Sequence, residues 1–112
     1  MENLLKQKCV ACRADAPRVT DDELPSLLQE IPDWQPITKD SVLMLNKVFK
    51  FKDYNESLNF TNKVAALAEE EDHHPAILLE CGKVEVTWWT HKIGGLHKND
   101  FIAAAKTDAL DT

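Results

Sequence analysis

The chain has 112 residues, 44% of them apolar, and a formal net charge of −6. That length and apolar share fit one domain around a single hydrophobic core and exclude a disordered chain. The acidic balance, with no basic stripe, excludes the usual nucleic-acid and anionic-membrane binders, and no apolar run reaches membrane-spanning length.

Residues 1–19 are polar, with Pro17 near their end, and read as an N-terminal arm ahead of a domain covering 20–112. The first eight residues hold no apolar stretch of leader length, so a cytoplasmic location is expected. Cys9 and Cys12 form a Cys-x-x-Cys, and Cys81 makes the count three, too few for a complete disulfide framework. A zinc site usually takes four protein ligands, and no second Cys-x-x-Cys exists. No strand precedes the pair, as a thioredoxin-like motif requires. Two reduced thiols are the simpler reading; redox and intersubunit metal roles stay open. Cys81 reads as a half-buried thiol beside a turn rather than a nucleophile.

Thr20-Asp21-Asp22-Glu23 is a capping box, with Thr20 as N-cap and Glu23 at N3. It predicts a helix that buries Leu24, Leu27, Leu28 and Ile31, tolerates Pro25 in its first turn and stops at Pro32. Residues 34–37 predict a short strand, Thr38-Lys39-Asp40-Ser41 a turn, and 42–51 a longer strand. Asp53, with Glu56 at N3, caps a second helix whose apolar set is Phe60, Val64, Leu67 and Ala68. That helix should end near His73. A third strand is expected at 77–80, then a turn at Cys81-Gly82. Residues 83–90 alternate most clearly: Val84, Val86 and Trp88 on one face, Glu85, Thr87 and Trp89 on the other. The alternation carries His91 to the Trp89 side. Gly94-Gly95 is a hinge before a last helix over 99–109, with Phe101, Ile102, Ala105 and Leu110 toward the core. The order α-β-β-α-β-β-α predicts an α+β fold: a single four-stranded antiparallel sheet with three helices packed on one face.

The chemistry gathers in Glu69-Glu70-Glu71-Asp72-His73-His74-Pro75 and in Thr90-His91. Histidine is the side chain whose unperturbed titration lies near neutral pH. Pro75 disfavours the helical conformation at His74, so both histidines should leave a helix end. Helical spacing pairs Glu69 with His73 and Glu70 with His74. Those acids and the negative helix C-terminus favour imidazolium, which suits general acid catalysis. Asp100, near the start of the last helix, is placed to orient an imidazole. Such a helix end is also what a solvated surface looks like. His73, His74 and His91 supply enough nitrogens for zinc, but adjacent histidines point apart and no His-x-x-x-His spacing occurs. Trp89 is a candidate wall for a flat heterocycle. His97 reads as a surface or capping residue rather than a catalyst.

These residues resemble the pterin-4a-carbinolamine dehydratase family. The family pattern is an acid, three residues, His-His-Pro, a histidine after a strand, then an aspartate. Glu69, His73-His74-Pro75, His91 and Asp100 match it. The stretch from Trp88-Trp89-Thr90-His91 through Gly94-Gly95 to Asp100-Phe101-Ile102 is similar to bacterial members. Cys9 to Pro17 resembles the subgroup associated with bacterial phenylalanine hydroxylase. One departure is Cys81, where many relatives carry an aromatic residue.

The resemblance implies dehydration of 4a-hydroxytetrahydrobiopterin to quinonoid dihydropterin, with no metal or organic cofactor. It implies His73, His74 and His91 as catalytic, Glu69 and Asp100 as supporting, and His74, Pro75, Trp89 and Thr90 at the substrate. It further implies recycling of the cofactor of phenylalanine hydroxylase and a homodimer or homotetramer. The alternative is a non-catalytic dimerisation or scaffold module on the same fold.

Overall fold

Alternation and two tight turns build the sheet. In a computed structural model, which describes residues 3–10 and 17–111, four strands form one sheet. They are β1 (Gln35–Lys39), β2 (Val42–Lys50), β3 (Ala76–Glu80) and β4 (Lys83–Trp88), ordered β1-β2-β4-β3 and antiparallel throughout. Asp40 and Ser41 turn β1 into β2 at φ 52° and 66°, two successive left-handed residues as a type I′ turn needs. Gly82, at φ 83°, turns β3 into β4, a conformation that glycine adopts without a side-chain penalty.

Register sets the faces. Leu45 lies opposite Trp88 and Phe49 opposite Val84, and with Val86 all are at most 2% exposed. The helices α1 (Leu24–Gln29), α2 (Tyr54–Glu71) and α3 (Lys98–Leu110) cover this face. Leu27, Phe60, Val64, Ala68, Phe101 and Ile102 join the sheet residues in one core cluster. The expected α+β order is therefore the observed one. Of the apolar residues read on the second helix, Leu67 is only partly buried, while Ser57 is fully buried. The Ser57 hydroxyl donates to the Asp53 carbonyl and accepts the Gly82 N–H, so its burial leaves no polar group unpaired.

Several boundaries differ from expectation, β1 among them, which runs on through Thr38 and Lys39. Thr20 and Glu23 do exchange bonds, at 3.0 and 3.2 Å, yet α1 starts only at Leu24. The Leu24 N–H reaches the Thr20 carbonyl at 3.1 Å, but Pro25 has no N–H for the next rung of the ladder. Residues 3–10 and 17–19 of the expected arm are docked on the domain. Leu4, in a 3-10 turn, is 1% exposed within the core. The Cys9 N–H donates to Glu71, Val10 exchanges two hydrogen bonds with the Asn99 side chain, and the Val19 N–H donates to the Leu96 carbonyl. Backbone donors and acceptors do this docking, and composition does not report them. Cys12 lies outside the described residues. Among the described residues, no helix is long and apolar enough to cross a membrane.

Candidate active site

The end of α2 sends its two histidines apart. Asp72 adopts the left-handed conformation (φ 51°, ψ 43°), and the His73 N–H returns to the Ala68 carbonyl at 3.1 Å, closing the helix. Pro75 disfavours the helical conformation at His74. His73 is 4% exposed, whereas the His74 side chain is 53% exposed. The expected Glu69–His73 spacing is not the observed pairing. The left-handed residue interrupts the helical repeat, and Glu69 meets His74 instead, at 3.4 Å.

His73 points inward. Its Nε2 lies 2.6 Å from Asp100 Oδ1, and its ring stacks on Trp88 with centroids 5.3 Å apart and an interplanar angle of 24°. Asp100 is fully buried at the first turn of α3. Its Oδ2 accepts the Thr90 hydroxyl at 2.8 Å and the His97 N–H at 2.9 Å. Oδ2 thus accepts two donors, and Oδ1 of the same carboxyl group meets His73 Nε2.

His97 closes the same turn. Its Nδ1 accepts the Asn99 N–H at 3.0 Å, which with the Asp100 bond makes a capping box. Burial holds the His97 imidazole below its ordinary titration range; Asp100 opposes this and His73 reinforces it.

His91 faces the other way. β4 ends at Trp88, two residues earlier than expected, because Thr90 pairs with Gly95 in an isolated bridge and His91 begins a 3-10 turn. The exposed His91 ring packs on Trp89, with centroids 4.3 Å apart. Trp89, with Ile37, Met44, Asn46, Leu78 and Thr87, lines a hollow of about 530 Å³ on the open sheet face. Ala76, next to Pro75, lines it too. Thr90, expected at the substrate, is 1% exposed with its hydroxyl committed to Asp100, so it stands behind His73. His97, read from the sequence as a surface or capping residue, does cap α3, and Trp88 lies in the core on the face that strand alternation gave it. Their contacts with Asp100 and His73 carried no sequence signal. Among the described residues, no group of three or more His, Cys, Asp or Glu side chains is arranged to hold a metal ion.

The family model for pterin 4 alpha carbinolamine dehydratase matches residues 17–110. The chain belongs to that family. A Marinobacter nauticus protein is 63% identical over 98% of this chain and 99% of its own length. One from Nitrosococcus oceani is 60% identical over 98% and 97%. Both are provisionally named pterin-4-alpha-carbinolamine dehydratase. A Brucella melitensis crystal structure, titled transcriptional coactivator/pterin dehydratase, superposes with TM-score 0.77 at 31% identity, covering 86% of this chain and all of that one. A pterin dehydratase-like protein described as a RuBisCO assembly factor in the alpha-carboxysome gives TM-score 0.60 at 32% identity, covering 70% and 88%. By family, this dehydratase is a hydro-lyase.

Proposed function

We propose that the chain dehydrates a 4a-hydroxytetrahydropterin and so returns the cofactor of phenylalanine hydroxylase to its recycling route. Dehydration breaks the C4a–O bond and the N5–H bond, forms C4a=N5 and releases water. One imidazolium gives its proton to the departing hydroxyl, and one neutral imidazole takes the N5 proton. His73 and His91 fill these two roles. His74 binds and orients the pterin, steadied by Glu69, with Pro75 and Trp89 beside it. Asp100 and Thr90 hold His73.

The observation that carries this reading is the buried carboxylate fixed by two donors, the Thr90 hydroxyl and the His97 N–H, and aimed at His73 Nε2. A module that only binds a partner has no need of such a device, which favours catalysis over the scaffold alternative. The N-terminal likeness to the hydroxylase-associated subgroup supports the physiological link, with a cytoplasmic homodimer or homotetramer as the working form.

The test is the rate of 4a-hydroxytetrahydropterin dehydration against the unaided background, followed by ultraviolet absorbance. His73→Ala and His91→Ala should each lower turnover by about 10²–10⁴, the range for a positioned acid or base. Near-normal turnover in both variants would sink the assignment.

A further inference from the structure

Most of the polar network around Asp100 follows from the dehydratase reading, but His97 does not. It precedes α3, is only 9% exposed, and touches the carboxylate through its backbone rather than its ring. The ring instead caps the helix, with Nδ1 accepting the Asn99 N–H. An acceptor at Nδ1 requires the neutral tautomer that carries its proton on Nε2.

We propose that His97 is a positioning residue for the dehydration: its neutral ring closes the first turn of α3, and that turn holds Asp100 on His73. Protonation would place a hydrogen on Nδ1 facing the Asn99 N–H, donor against donor. It would also add positive charge where the helix dipole is already positive. The cap opens, the His97 N–H leaves Asp100, and His73 loses its fixed partner.

The groups around the ring come from every neighbouring element. Asp100 and Lys98 lie on α3, and His73 follows α2. Lys8 and Arg18 of the N-terminal segment, with Glu23 ahead of α1, line a cavity of about 370 Å³ that the ring also borders. Burial, the largest influence, opposes a charged ring; Asp100 favours it, and His73 opposes it. The ring is therefore neutral at neutral pH and becomes a liability in acid. Thus His97 contributes to the acid limb of turnover alongside the imidazoles that meet substrate.

This role rests on the dehydratase reading, and the experiment separates the two. The pH profiles of kcat and KM would be measured for wild type, His97→Ala and His97→Asn from about pH 5 to about pH 9. His97→Ala should lose about 10- to 100-fold in kcat with KM little changed, as expected for a displaced catalytic group. The His97→Asn amide oxygen can accept the Asn99 N–H, so it should recover most of that loss near pH 8. Because asparagine does not titrate, its acid limb should lie lower than that of wild type. Nitrogen-15 shifts of the wild-type His97 ring supply a reading that needs no variant to fold; Nδ1 should stay unprotonated at neutral pH. Coincident acid limbs for wild type and His97→Asn, full kcat in His97→Ala, or a protonated Nδ1 at pH 7 would each overturn the role. Wild type that fails to accelerate dehydration overturns the dehydratase reading and this role together.

Discussion

Two histidine–tryptophan pairs sit on opposite sides of one strand end. His73 stacks on Trp88, which is fully buried on the helix side and donates its indole N–H to Thr107. His91 packs on Trp89, which lines the open hollow. The first imidazole has a fixed carboxylate partner; the second lies at the surface. Adjacent tryptophans on a strand must face opposite ways, so a single residue step separates a buried, oriented imidazole from a wetted one.

Replacing Asp100 with Asn should erase that difference most completely. An amide cannot accept from His73 on one side and from Thr90 and His97 on the other, so at least one of these three partners faces an NH₂. Turnover should fall by about 10²–10⁴, and chemical denaturation should register a loss of about 1–3 kcal/mol. Unchanged turnover in a folded Asp100→Asn protein would mean that His73 needs no orienting.

The tryptophans sharpen the contrast next. Trp88→Ala should cost about 3–5 kcal/mol in urea unfolding, because it empties a closed site. Trp89→Ala, half-buried at an open surface, should cost less than about 1.5 kcal/mol and act mainly on KM. Equal stability losses would contradict the two-faced description.

The smallest expected effect is on stability against pH. His97 titrates lower in the folded chain than its ordinary value of 6.5, so below that value the unfolded chain binds more protons. Its contribution is full above about pH 6.5 and is lost as pH falls through the folded value. Glu71 acts in the same sense but at lower pH. Burial alone would raise its carboxyl, and Lys106 with the Cys9 N–H more than offsets this. Wild-type melting temperature should therefore decline between pH 7 and about pH 5, and His97→Asn should flatten that decline. A decline of equal slope in both proteins would assign it to other groups.

Legibility followed the range of each interaction. The strand from Lys83 was clear because alternation needs only its own residues. Asp53 announced α2 because its side chain reaches the Glu56 N–H only three residues on, at 2.9 Å. The partner of Glu69 was misread because nothing in the residue type forced Asp72 into the left-handed region. Aspartate visits it more readily than most residues, but glycine is the usual marker. The docking of residues 3–10 was hidden for another reason: a polar segment with one buried leucine carries no periodicity.

The bias of Pro75 against helix at His74, the cap ahead of α2 and the alternation that divides Trp88 from Trp89 are local consequences of backbone geometry, and the amino-acid order alone determines them. The family pattern added which histidines to watch. Only the tertiary structure decided that Asp100 belongs to His73, that Thr90 turns its hydroxyl inward and that His97 closes the network. Those partners lie up to 27 residues apart in the chain. They meet because the sheet order brings the end of α2 against the start of α3. Burial there removes competing water, so each polar group must find its partner within the protein.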